Sequence, residues 1–273
     1  FLYVYINVNP ATGPDPLVRE FIRFVLSKQG QADTAKDGYF PVNAPLARQA
    51  LLTGVNVVLI LVTVIGGRIT PSFTTTALRA RGVEGVVRSW RGMTSVTVAL
   101  MIAIAVVDVV QPGGAVAGWV ALAAAIAQGA RLVQWQGFRM WRNPIVWILH
   151  LAYAWLPFGL LLKALALLAG VAAAAFWLHA LTIGAIATMI LGVMTRVALG
   201  HTGRPLRVHP LTTLAYLLVS AAVLTRVFGT WLPWLSYPVF IAVSAAMWTT
   251  AFALFLWVYG PILLGPRVDG KPG

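Results

Sequence analysis

Residues 176–206 read FWLHALTIGAIATMILGVMTRVALGHTGRPL, an apolar run with a histidine inside it. About 20 apolar residues suffice to cross the hydrocarbon core of a bilayer. An ionisable side chain there is costly, roughly 2.5 kcal/mol or more when charged, which makes His179 a functional candidate. The run ends in a compact polar signature, His201-Thr202-Gly203-Arg204-Pro205-Leu206. This stretch predicts an integral membrane protein that holds a cofactor.

Composition agrees. Of 273 residues, 59% are hydrophobic and only 10% charged, with a mean hydropathy of +0.83. Soluble domains carry about 25% charged residues. The 20 Lys and Arg against 7 Asp and Glu do not indicate nucleic acid as a partner. The basic residues sit in short loops between apolar runs, where they orient a membrane protein. There are no cysteines, which removes disulfides, thiolate metal sites, iron–sulfur clusters and a cysteine nucleophile.

Seven apolar runs have spanning length, roughly 51–67, 93–111, 115–134, 144–165, 171–198, 210–228 and 237–259. The third is the weakest, because Gln128 and Arg131 crowd its end. Alternate loops carry the positive charge. Arg68, Arg79, Arg81, Arg88 and Arg91 follow the first run, and Arg131, Arg139 and Arg142 the third. Arg196, Arg204 and Arg207 follow the fifth, and Arg267 and Lys271 close the chain. The other side holds Asp108, Lys163 and Arg226 near helix ends. The positive-inside rule then places the C-terminus in the cytoplasm and the N-terminus outside. The fold expected is all-α, a polytopic transmembrane helix bundle over residues 49–273.

Residues 1–48 differ. Phe1 to Ile6 alternates like a short strand, and Asn7 to Pro14 is a turn-rich loop. Asp15 and Pro16 open an amphipathic helix with Leu17, Phe21, Phe24 and Val25 as its apolar stripe and Gly30 as its end. Lys36 to Pro41 is a further turn. The sequence starts without methionine and without a signal peptide, so it reads as a fragment or a processed product. This tail, FLYVYIN…DPLVREFIRFVLSKQGQ…KDGYFPV, resembles the C-terminal end of periplasmic phosphate-binding proteins of ABC-type uptake systems. The phosphate-contacting part of that family lies upstream of the resembling segment, so phosphate binding does not carry over.

Four histidines bear on chemistry. His179 lies ~13 Å into the fifth run from its outer end, and His150 ~10 Å into the fourth from its cytoplasmic end. Neighbouring helices pack together, so the two could face one site. A neutral imidazole is a good ligand for haem iron or copper. The competing account of each is a histidine bonded to a neighbouring helix carbonyl. His201 and Arg204 stand together at the interface, where both could meet an anionic group. The same segment also reads as an ordinary helix stop, with Gly200, Gly203 and Pro205 ending it and Arg204 as anchor. Gly66-Gly67-Arg68-Ile-Thr-Pro71 ends the first helix in the same manner. Met189 and Met194 read as packing, and His209 as a loop residue. Trp119, Trp231, Trp234 and Tyr237 form interfacial belts. No phosphate loop, dinucleotide turn or HExxH occurs.

The segments GGRITPSFT after the first run, His150 in WILHLAYAW, and HALTIGAIATMILGVMTRVALGHTGRPL resemble the NnrS family of bacterial membrane proteins, over about residues 52–265. The resemblance implies a haem- and copper-containing protein of the inner membrane that relieves nitric oxide stress, with nitric oxide as a small ligand. The matching positions are Arg68, Pro71, Thr74, His150, His179, His201, Thr202, Gly203 and Arg204. Of these, His179, His150 and His201 are the expected metal ligands, and Arg68 and Arg204 are expected cofactor contacts. Members of the family have about twelve spans and a second histidine-rich helix in a half that this sequence lacks. Turnover, binding and sensing of nitric oxide stay open, because no acid–base pair accompanies the histidines. Two rivals stand beside this reading: a transporter segment using the Arg68 and Arg204 faces, and a non-catalytic membrane subunit.

Overall fold

A backbone in hydrocarbon has no water to bond, so apolar runs of spanning length close their hydrogen bonds internally as helices. The computed structural model describes residues 15–36, 44–85, 87–171, 174–231 and 236–270, and no strand occurs among them. Seven helices among the described residues are long and apolar enough to cross a membrane: Leu46–Arg79, Met93–Val110, Ala115–Val133, Pro144–Ala169, Trp177–His201, Pro210–Phe228 and Tyr237–Leu264. The chain is an all-α polytopic bundle, as expected. The proposed strand at Phe1–Ile6, the loop that follows it, the turn beyond Lys36 and the belt residue Trp234 lie outside the described residues.

The chain divides into two compact units, Phe1–Ala50 and Leu51–Gly273. In the first, α1 (Pro16–Leu26) starts as expected, with the Asp15 carboxylate accepting from the Leu17 N–H at 2.8 Å. It ends at Ser27 rather than Gly30. The Ser27 hydroxyl donates to the Phe24 carbonyl at 2.6 Å, and a second helix, α2 (Lys28–Lys36), follows directly.

The first span departs from the sequence reading. Gly66-Gly67 does not stop it. Helix α3 (Ala44–Leu61) passes through a wide turn at Val62–Gly66 into α4 (Gly67–Arg79), with Pro71 inside α4. Proline in a helix interior removes a hydrogen bond and costs about 3 kcal/mol. Here the carbonyl stripped of its partner, Gly67 O, accepts instead from Arg131 Nη2 at 3.2 Å. The helix therefore continues for about two further turns, to Arg79. Arg131 is accordingly no loop anchor; it is buried, 3% exposed.

Helices α5 (Met93–Val110) and α6 (Ala115–Val133) follow, then a short turn at Gly137–Met140 and α7 (Pro144–Ala169). The α7 helix is the central post. It touches α4, α6 and the whole next span, and 67% of its most apolar stretch is buried. That next span begins at Trp177, later than the expected 171. It comprises α8 (Trp177–His179), a wide-turn segment Ala180–Ala187 and α9 (Thr188–His201). Helices α10 (Pro210–Phe228) and α11 (Tyr237–Leu264) pair to close the bundle. Small residues set the close approaches, as lipid-embedded packing requires. A side chain at Gly184 would strike the Trp155 ring, and one at Gly159 the Leu181 side chain.

Candidate functional site

His150 sits on the second turn of α7 and is buried. Its Nε2 lies 2.7 Å from Thr74 Oγ1 on α4. The same hydroxyl donates to the Thr70 carbonyl at 2.8 Å. A hydroxyl has one proton. With that proton given to Thr70, Nε2 must be the N–H donor and Nδ1 carries the lone pair. Nδ1 is buried and has no hydrogen-bond partner. It faces Gly137, where the Cβ of any other residue would overlap the imidazole ring. Around the ring opens a cavity of about 560 Å³ lined by Phe138, Trp141, Trp147, Leu132 and Leu151. The result is an unpaired imidazole nitrogen in an aromatic-walled, apolar pocket.

A polar network supports this histidine from behind. The Arg131 guanidinium donates to Thr63 O at 2.9 Å, Gly67 O at 3.2 Å, Tyr153 Oη at 3.0 Å, Thr94 Oγ1 at 3.2 Å and Thr97 Oγ1 at 3.3 Å. Tyr153 in turn donates to Gln128 Oε1 at 2.6 Å, and Gln128 Nε2 to Thr63 Oγ1 at 3.1 Å. Trp135 stands edge-on to both Tyr153 (4.6 Å) and His150 (6.3 Å), with the Arg131 guanidinium 5.5 Å from its ring centre. Buried charge is tolerated when fully hydrogen-bonded, and four spans supply the bonds. Sequence reasoning missed this cluster because it treated Arg131 as one more positive loop residue. The usable signal was Gln128 and Arg131 three positions apart on one helix face.

His179 belongs to the opposite end of the bundle. Leu181, two residues on, packs on Gly159 of α7, which is nine residues or ~13 Å along the axis from His150. The expected shared site of the two histidines is therefore not formed. The Nδ1 of His179 is also buried without a partner, and the His179 ring centre lies 6.0 Å from that of Phe176. The Arg226 guanidinium stands 6.0 Å from the same phenyl ring. Nearby Trp177 lies 4.8 Å from Lys163 Nζ, which pairs with Asp108 at 2.6 Å; Asn56 Nδ2 also donates to Asp108, at 2.9 Å. Asp108 and Lys163, expected near helix ends, thus form a buried ion pair joining three spans.

At the arginine-rich end, His201 is the last residue of α9 and is exposed. It shares a cavity of about 290 Å³ with Arg196, Arg267 and Phe73. Arg196 lies 3.6 Å from the Phe73 ring centre. Arg204, its expected companion, does not line this cavity, and its Nη1 is buried without a partner. Gly203 turns with φ +72°, and any side chain there would meet the Asp269 carboxylate. That carboxylate accepts from Arg267 at 2.9 and 2.6 Å and holds the guanidinium above its ordinary range. Arg68 is exposed on α4 and lines neither histidine cavity. His209 caps α10, its Nδ1 accepting from the Leu211 N–H at 3.2 Å. Met189 is packed against Gly66.

The described residues contain no group of three or more His, Asp or Glu side chains able to hold a metal ion. What they offer are single imidazole nitrogens, one in the aromatic cavity and one at the far end.

Comparison with known proteins places these features. No solved structure matches the chain. A stretch of 51 residues, 19% of the chain, is 49% identical to the phosphate-binding protein PstS of Pseudomonas aeruginosa, in strains PAO1 and UCBPP-PA14. The chain spans only 16% of the length of those relatives. The family model for the NnrS protein matches residues 31–267, which takes in all of α4 to α11 and every histidine discussed above. The chain belongs to the NnrS protein family.

Proposed function

We propose that this NnrS family member is a haem-holding protein of the bacterial inner membrane that acts in the response to nitric oxide, with His150 as the side chain that would bind the iron. The observation that carries the reading is the buried, unpartnered Nδ1 of His150, a residue that lines a 560 Å³ aromatic cavity. Haem brings most of its iron ligands with it and asks little of the protein, so a single placed histidine would suffice. When bound, haem iron supplies a site that takes up nitric oxide. Copper held by three or more side chains finds no ligand set among the described residues, and no step is assigned to it.

The chain's own residues have distinct tasks. Thr74 fixes the tautomer by accepting from Nε2, as the partners of ligating histidines do. Gly137 packs against Nδ1, where any side chain would overlap the ring. Phe138, Trp141 and Trp147 give the cavity its aromatic, apolar wall. His201, with Arg196 and Arg267, is suited to a carboxylate of the cofactor, the role expected of His201 and Arg204. His179 is a second candidate ligand at the other end. The inner-membrane assignment rests on the arginine-rich loops, which the positive-inside rule puts in the cytoplasm.

The test is the visible spectrum of the purified chain, oxidised and reduced, before and after nitric oxide. The expected result is a Soret band that shifts with nitric oxide and is lost in His150→Ala but kept in His179→Ala. A folded protein with a flat spectrum, or a band indifferent to His150→Ala, overturns the assignment.

A further inference from the structure

Where the first, third and fifth spans end, the fold gathers three guanidinium groups that the site above does not use. Arg81 follows α4, Arg142 precedes α7, and Arg207 precedes α10. All three line one cavity of about 840 Å³. None of the three meets a carboxylate among the described residues. Arg142 is held by its stack on Trp141, 4.5 Å from the ring centre, and Arg81 by a long bond to the Arg139 carbonyl. No acidic residue lines the cavity.

Two further observations give the occupant its shape. Pro144 and Pro210, the first residues of α7 and α10, both line the cavity, so it lies beside the N-terminal ends of a 26-residue and a 19-residue helix. Helix N-termini favour anions, phosphate above all. Below the basic rim, the lining continues down the outside of α10 through Leu214 and Leu217, which lie within the span and are 44% and 55% exposed. A site for a free anion has no use for that apolar floor. A phospholipid does, since its acyl chain follows the helix while its headgroup meets the arginines.

We propose that this cavity is a binding site for an anionic phospholipid, its phosphodiester held by Arg81, Arg142 and Arg207 and an acyl chain lying on Leu214 and Leu217. Charge complementarity selects the headgroup: three cations and two helix ends face no protein acid, and each cation near an anionic lipid surface adds to attraction. The site binds whether or not a haem is present and is independent of the functional assignment above.

The experiment uses the full chain in nanodiscs of zwitterionic phosphatidylcholine containing a fifth phosphatidylglycerol. Native mass spectrometry after release counts retained phosphatidylglycerol. Wild type is expected to keep it, and the triple variant Arg81→Gln/Arg142→Gln/Arg207→Gln to lose about tenfold or more of that retention. A control triple, Arg79→Gln/Arg88→Gln/Arg91→Gln, changes as many charges outside the cavity and is expected to behave as wild type. Equal loss in both triples means general surface attraction and overturns the site. Displacement of the lipid by millimolar inorganic phosphate shows a free-anion site and overturns the lipid assignment. Should the triple variant fail to fold by circular dichroism, Arg207→Gln alone is measured, and unchanged retention in it overturns the proposal.

Discussion

Pro71 and Arg131 are complementary across the bundle: the proline has no N–H for the carbonyl four residues before it, and Arg131 Nη2 donates to that carbonyl, Gly67 O, at 3.2 Å. The pairing makes one continuous helix out of a sequence that carries every local sign of a helix end. It also forces glycine at position 67, because a Cβ there would fall among the guanidinium atoms.

Gly67→Ala should therefore be destabilising, against the usual order. Alanine normally favours a helix interior over glycine by about 0.8–1.0 kcal/mol, whereas overpacking costs about 1–3 kcal/mol. Gly54→Ala on α3, where a Cβ meets nothing within 4 Å, is the matched control and should be neutral or stabilising. Thermal unfolding in detergent, followed by tryptophan fluorescence, separates the two. A Gly67→Ala protein melting at or above wild type contradicts the arrangement.

Removing Arg131 takes the donor from the buried Gly67 carbonyl, which Pro71 leaves without a helical partner, at about 1–3 kcal/mol, and also breaks the bond to Thr63 O. Arg131→Leu should lower the melting temperature strongly. In the companion variant Arg131→Leu/Pro71→Ala, alanine restores the N–H that Gly67 O lacks, so part of the loss should return. No recovery in the double variant means that Gly67 O is not the group that matters.

For the Asp108–Lys163 pair, single and double replacements should differ in sign of coupling. Breaking a buried pair from one side costs about 3–5 kcal/mol, while replacing both by apolar residues can be near neutral. We expect Asp108→Leu and Lys163→Met each to destabilise markedly, and the double variant to recover most of the loss. Additive losses in the double-mutant cycle contradict a direct pair.

At His150, two variants leave the imidazole in place. Gly137→Ala puts a methyl against Nδ1 and should abolish haem absorbance with helical content unchanged. Thr74→Val removes the partner of Nε2 and should weaken haem retention about 10–100-fold, the usual scale for such outer partners. A Gly137→Ala spectrum identical to wild type shows that Nδ1 is not the ligating atom.

Hydropathy alone located all seven spans, because length and apolarity are what a bilayer demands of a helix. The resemblance carried by the histidine segments reached the family before any fold was known. The sequence did not disclose what depends on partners far along the chain. Gly66-Gly67 followed by Arg68 and Pro71 is locally a helix stop, and only Arg131, distant in sequence, reverses that. Asp108 and Lys163 each look like a residue near a span end until the fold brings their side chains together. His150 and His179 were expected at only slightly different heights near mid-membrane, but the packing of Leu181 on Gly159 sets them well apart. Local periodicity speaks of one helix at a time, whereas a site is built by several.

The Asp108–Lys163 pair also has a consequence for how the protein is made. Lys163 lies 55 residues after Asp108, so at about 5–20 residues per second the carboxylate leaves the ribosome roughly 3–11 s before its cation. Asn56, synthesised earlier, is the donor already present when Asp108 arrives. The first and second spans can thus associate through an amide–carboxylate contact, and the arrival of the fourth neutralises the charge and locks the three together.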